Sequence, residues 1–261
     1  WIKGEGQKCI EAGMRLVDFG LKYSSIRSQV MGHYIKGLGY FTKGDFQTAI
    51  DCFMRATQVS GDPYYYHIPR LLLGMTYTLT GRLQEAEAIL REIVDYSEKF
   101  DTESIGTPAH AMLGGVLLLK GELKSGLKMV EDAQRLFLKN ERKFSCIMAD
   151  YILGTFYLQI VLKNDEFSLP VKIKNIGFIV KHIPFSSQKA EAHFNKAIEM
   201  AKEIGAKGLL GQAYMDLGLL HKAKKRTAQA RECISKAIKV FEECEAEVYL
   251  KQANEALESL Q

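Results

Sequence analysis

Five segments of the chain place a glycine at one register of a recurring helical pattern, and no other feature limits the fold so tightly. In order they read Gly37-Leu-Gly-Tyr40-Phe-Thr-Lys-Gly44, Gly74-Met-Thr-Tyr77-Thr-Leu-Thr-Gly81, Gly114-Gly-Val-Leu117-Leu-Leu-Lys-Gly121, Gly154-Thr-Phe-Tyr157 and Gly218-Leu-Leu-His221. In the first three, a second glycine follows seven residues after the first. Downstream of each segment stands a small residue, then apolar and mostly small ones four and seven positions on. These are Ala49, Phe53, Ala56; Ala86, Leu90, Ile93; Gly126, Val130, Ala133; Ala190, Phe194, Ala197; and Ala230, Ile234, Ala237.

A glycine inside a helix costs about 1 kcal/mol relative to alanine, so its return at one register implies another backbone passing close by. The second glycine, followed by Asp45, Arg82 or Glu122, stands where a helix must stop and the chain reverse, a place suited to left-handed backbone. The stripe at i, i+4, i+7 then packs a second helix on the first. A lone helical hairpin cannot bury both of its apolar faces, so neighbouring pairs stack into a superhelix.

This register resembles the tetratricopeptide repeat, whose small, aromatic, glycine, small, aromatic, small series is matched by Gly37, Tyr40, Gly44, Ala49, Phe53 and Ala56. The resemblance implies an all-α, right-handed superhelical solenoid of antiparallel helix pairs, and a protein-interaction role without catalysis. Two features depart from the family pattern. Gly61 and Glu98 replace the usual proline near the repeat end, and His33, Arg70, His110 and Tyr214 stand where an early tryptophan is usual. The first glycines lie 37, 40 and 40 residues apart, longer than the minimal repeat of about 34, which implies longer helices. From Lys189 to Lys207 and Gly211 to Lys222 the chain is similar to the C-terminal repeat regions of bacterial regulators that join an adenylate or guanylate cyclase, or a signal-transduction ATPase, to a tetratricopeptide tail. That likeness implies a sensing or docking tail of a larger signalling protein, with the parent's catalytic residues elsewhere.

Residues 1–261 read as a single solenoid domain. Residues 3–23 form the second helix of a truncated repeat, with Ile10, Met14, Val17 and Leu21 on one face. Helix pairs follow at 28–60, 64–99, 104–139, 143–205 and 207–243. A capping helix over 245–260 carries the polar outer face, Glu245 to Glu258, that a solenoid end needs for solubility. An insertion at 163–187 interrupts the fourth pair. Within it Pro170 and Pro184 bracket an amphipathic helix over Val171–Ile183, started by the first proline and stopped before the second. Its apolar side either lies on the solenoid, packs on a companion domain or closes one end of the groove. The chain opens at Trp1 rather than Met, as a piece cut from a longer protein or one with trimmed disordered ends would.

A hydrophobic content of 47% suffices for a sizeable core, and a net charge of +4 is too small to imply nucleic acid or an anionic membrane as partner. Cys9, Cys52, Cys146, Cys233 and Cys244 are odd in number and contain no C-x-x-C pair, which fits a reducing cytoplasm better than a secreted framework. No membrane span or signal peptide is read. There is no P-loop, no H-E-x-x-H and no close His/Cys/Asp cluster, so no catalytic residue, cofactor or metal is expected. His33 and His110 share a register between helices and read as structural. The basic run His221, Lys222, Lys224, Lys225, Arg226 reads as the solvated end of a helix, where cations suit the dipole.

In this architecture the first helices of successive pairs line a concave groove. Helical spacing assigns to it Met31, Tyr34, Leu38 and Phe41; Ile68, Leu71, Met75 and Thr78; Ala111, Gly115 and Leu118; and Met148, Tyr151, Thr155 and Leu158. The lining is apolar, with adaptable methionines and two tyrosines, whereas the carboxylate-binding form of the fold needs Lys, Asn and Arg there. The expected occupant is a peptide or helix of another protein or of another domain of the same polypeptide. The alternative is self-association, or intramolecular regulation of an attached cyclase or ATPase.

Overall fold

The structure is a computed structural model that describes residues 2–162 and 169–260, and every regular element among them is α-helical. In chain order the helices are α1 (Gly6–Lys22), α2 (Ile26–Lys43), α3 (Phe46–Val59), α4 (Pro63–Leu79), α5 (Leu83–Phe100), α6 (Glu103–Leu119), α7 (Leu123–Lys139), α8 (Lys143–Leu162), α9 (Leu169–Ile204), α10 (Lys207–Ala223), α11 (Thr227–Glu243) and α12 (Glu247–Glu258). Spatial proximity divides the chain into two compact units. The first is Trp1–Leu113 with Cys244–Val248; the second is Gly114–Glu243 with Tyr249–Gln261.

In the first unit α2 packs on α3 and α4 on α5 through the glycine register. A methyl group on Gly37 would lie 2.6 Å from the Phe53 ring, and one on Gly74 2.9 Å from Leu90 Cγ, so only glycine lets these side chains reach the facing helix. The downstream stripe supplies the other half of each contact, for Ala49, Phe53, Ala56, Ala86, Leu90 and Ile93 are all fully buried. Helix α1 docks on α2 by closer means still: a methyl on Gly13 would sit 2.6 Å from the Lys36 amide nitrogen. This corrects the face expected for α1. Gly6, Ile10, Gly13 and Gly20 are its buried residues, while Met14 and Leu21 are 51% and 63% exposed, because near backbone contact leaves no room in the seam for long side chains.

The second unit repeats the device. Gly114 faces Val130, Gly154 faces Phe194 and Gly218 faces Ile234, each with room for no more than a hydrogen. Helix reversal follows the predicted chemistry: Gly44, Gly81 and Gly121 have φ of 83°, 76° and 81°, and in each case the next amide donates back to the helix. In the fifth copy, where the glycine is absent, Lys225 adopts φ 58°.

The insertion differs from expectation. Residues 163–168 lie outside the described residues, and from Leu169 one 36-residue helix runs through Pro184 to Ile204. Proline removes one backbone hydrogen bond, but packing on both sides of it holds the helix together. Asn175 Nδ2 donates to the Gly121 carbonyl at 2.9 Å and Phe178 lies against Phe156, while downstream Ala190, Phe194 and Ala197 are fully buried.

One helix corrects the reading of apolar runs: α8 is long and apolar enough, by length and composition, to cross a membrane. More than half of its apolar window is buried within the protein. It also carries the buried Asp150, which accepts from Gln134 Nε2 at 2.9 Å and pairs with His193 Nδ1 at 2.8 Å. A helix that is apolar on all sides belongs in a core as readily as in a bilayer.

Candidate functional site

The position four residues before each repeat glycine, where the family pattern has tryptophan, holds His33, Arg70, His110, Asp150 and Tyr214. Four of these side chains reach residues of a neighbouring second helix. Arg70 pairs with Glu92 and lies over the Tyr66 ring, His110 faces Glu98 at 3.7 Å, Asp150 holds His193, and Tyr214 has the Lys202 and Lys236 ammonium groups 5.5 and 5.7 Å from its ring centroid. Polar ties thus replace an indole. Burial and the nearby Asp150 also push the Cys146 thiol up, the reverse of what a nucleophile needs. Among the described residues no group of three His, Cys, Asp or Glu is placed to hold a metal. Of the basic run, His221 is buried, Arg226 pairs with Glu191 at 3.2 Å and Lys222 donates to Ser259 at 2.7 Å, so it is only partly a solvated end.

The residues assigned to the groove fall into two sets, one in each unit. In the first unit Met31, Tyr34, Phe41, Ile68, Leu71, Met75 and Thr78 are partly accessible on the first helices α2 and α4. Tyr34 rests on Phe53, with ring centroids 6.1 Å apart, and burial pushes its hydroxyl up to about 12. The Thr78 hydroxyl is spent on the Gly74 carbonyl at 2.8 Å, which leaves its methyl as the group it can offer. In the second unit Gly115, Met148, Tyr151 and Thr155 are partly accessible, and Gly115 packs against Ile152.

Four of the assigned residues belong to the core instead. Leu38 is 4% exposed, since Gly37 and Gly39 draw α2 tightly between α3 and α1. Leu118 is turned onto Gly126 of α7, Leu158 near the C-terminal end of α8 is 1% exposed, and Ala111 is too short to emerge past its neighbours. A shallow recess of about 560 Å³ in the first unit, lined by Gln7, Ile10, Tyr40, Lys43, Phe46 and Val248 among others, includes none of the assigned residues.

One feature of the candidate site was missed in the sequence: the face shared by α8, α10 and α12 is not wholly apolar. Thr155 Oγ1 donates to Asp216 Oδ2 at 3.2 Å, the Tyr151 hydroxyl bonds to the same carboxylate, and Tyr249 of α12, itself bonded to Gln212, stands beside it. Burial pushes the Asp216 carboxyl up to about 6 from an ordinary 3.8, against the lowering effect of its two hydroxyl partners. Burial, and then the Asp216 charge, raise Tyr151 well above the ordinary phenol range. The only sequence signal was an acid two residues before a repeat glycine, where the other copies have Ile35, Leu72, Met112 and Ile152.

A model of the tetratricopeptide repeat matches residues 32–63, 70–100 and 209–244, so the chain carries such repeats at its first, second and fifth glycine segments. No curated protein sequence matches the chain. Among solved structures it is similar to a Rap protein complexed with competence and sporulation factor, at 16% identity and a TM-score of 0.66, over 92% of this chain and 67% of that one. It is also similar to BtubC (BKLC) from P. vanneervenii, at 15% identity and a TM-score of 0.55, over 90% of each chain. At such identities the likeness shows the fold, an all-α array of tetratricopeptide-like helix pairs. Repeats of this kind are non-catalytic modules for protein–protein interaction. The attachment to a cyclase or ATPase expected from the C-terminal resemblance finds no support in these comparisons.

Proposed function

We propose that the chain is an interaction scaffold that binds a peptide or single helix of a protein partner on the accessible apolar residues of its first helices. The observation that carries this reading is the row Met31, Tyr34, Phe41, Ile68, Leu71 and Met75, which stays partly accessible although Val30, Leu38, Leu72 and Leu73 of the same helices are buried. Flexible methionines and aromatic rings accept varied apolar side chains with little ordering cost. Micromolar affinity needs about 8 kcal/mol, which a few buried anchors worth about 2 kcal/mol each come near to supplying. The fold likeness to a Rap protein solved with a bound factor supports the same reading.

Panning a displayed library of random dodecapeptides against the full chain tests it. Enriched peptides should bind in titration and lose about tenfold or more in affinity to the Tyr34→Ala or Met75→Ala variant. Failure to enrich any sequence, or affinities indifferent to both variants, overturns the reading.

A second reading, self-association or docking on an attached regulatory partner such as a cyclase or ATPase domain, draws on α9. There Ile176 and Val180, four residues apart, are 66% and 68% exposed. Sedimentation equilibrium of the full chain and of an Ile176→Ser, Val180→Ser variant separates the two: mass that rises with concentration only in the parent chain would favour it.

A further inference from the structure

We propose that Asp216, with the hydroxyls of Tyr151 and Thr155, forms a recognition site for a basic side chain of the bound peptide. The proposal rests on the binding reading above and names the chemistry that reading leaves open.

Two hydroxyls from α8 hold the Asp216 carboxylate in place, and both are neutral. They occupy part of the roughly four lone-pair positions a carboxylate offers and cancel none of its charge. Among the described residues no Lys, Arg or His pairs with it, although Asp150, next to Tyr151 on α8, has His193 at 2.8 Å. Lys189, Lys202, Lys222 and Lys236 in the same unit are engaged with Tyr157, Tyr214, Ser259 and Glu232. A carboxylate drawn out of water without a counter-charge is costly, and an incoming cation relieves that cost.

Position selects the kind of cation. Asp216 lies on the first helix α10 and is tied to Tyr151 and Thr155, partly accessible residues of the first helix α8 in the same unit, with Met148 one turn before Tyr151. Gln212 and the Tyr249 hydroxyl stand beside it, neutral groups suited to the polar backbone next to a charged side chain. A lysine ammonium or arginine guanidinium brings both the missing charge and several donors to the free lone pairs. An acidic side chain would meet a like charge and is excluded.

The experiment uses the full chain and Asp216→Asn, which keeps shape and hydroxyl contacts but removes the charge. Dodecapeptides enriched on the parent chain are resynthesised with each basic residue in turn replaced by norleucine, and affinities are measured in all four combinations. The expected result is one basic position at which norleucine costs about tenfold or more on the parent chain and little further on Asp216→Asn, the non-additivity of groups in contact. A set of enriched peptides none of which distinguishes the parent chain from Asp216→Asn would overturn the basic site, while loss of affinity to Tyr34→Ala or Met75→Ala separately keeps the scaffold reading standing. Peptides that depend on none of these residues would overturn both. Circular dichroism of Asp216→Asn separates lost recognition from lost fold, and Thr155→Val gives a second variant that should weaken only the lysine-bearing peptide.

Discussion

The Thr155 hydroxyl donates to the Asp216 carboxylate at 3.2 Å and so ties α8 to α10 across the accessible face of the second unit. Burial there raises the acid to about 6, so between 3.8 and 6 the folded chain binds more protons than the unfolded one. The stability this confers is present below 3.8 and is lost as pH rises through about 6. Asp216→Asn, which carries no charge at any pH, should therefore be more stable than the parent at neutral pH by on the order of 1–3 kcal/mol, with the advantage gone near pH 4. Urea midpoints at the two pH values check this; an Asn variant that is weaker at neutral pH would contradict it.

Three histidines act in the opposite direction. His33, His67 and His221 are held below the ordinary 6.5, in each case chiefly by burial. Below 6.5 the unfolded chain takes up these protons before the folded one does, so stability present above 6.5 falls as pH drops through the depressed folded values. His221→Gln should flatten the loss of urea midpoint between about pH 7.5 and pH 5.5 relative to the parent chain. An unchanged slope would remove His221 from the account.

The glycine register predicts a contrast between two substitutions. Gly74→Leu must displace Leu90 and should destabilise by roughly 1–3 kcal/mol or more. Gly177→Ala, on α9 with nothing within 4 Å, should stabilise by about 0.5–1 kcal/mol through helix propensity. Thermal melts that fail to rank them in this order would count against the packing described.

Lys225 holds φ 58° where the first three copies have glycine. Lys225→Gly should stabilise by about 1 kcal/mol, the cost of left-handed backbone for a residue with a Cβ, less the entropy glycine loses on folding. A rise in melting temperature measures it, whereas no change would mean that the lysine side chain makes a compensating contact.

What the sequence determined by itself is the local geometry. Gly37, Gly74, Gly114, Gly154 and Gly218 specify where a second helix can touch the first, and Phe53, Leu90, Val130, Phe194 and Ile234 are the side chains that touch, because both follow from a period of 3.6 and the volume of one methyl group. The resemblance to tetratricopeptide repeats carried the same information. Tertiary structure alone decided which residues of a stripe remain at the surface. Leu38 and Leu118 share the helical spacing of Met31 and Tyr151, yet close approach at Gly39 and at Gly126 encloses them. It also decided that α9 continues through Pro184, since packing at Phe178 and Phe194 outweighs one lost hydrogen bond. Above all it brought Asp216 to Tyr151 and Thr155 from 65 and 61 residues away in sequence. Periodicity relates residues within a helix and is silent on which side chains of separate helices meet, so the charge in an otherwise apolar face became visible only once α8 and α10 were side by side.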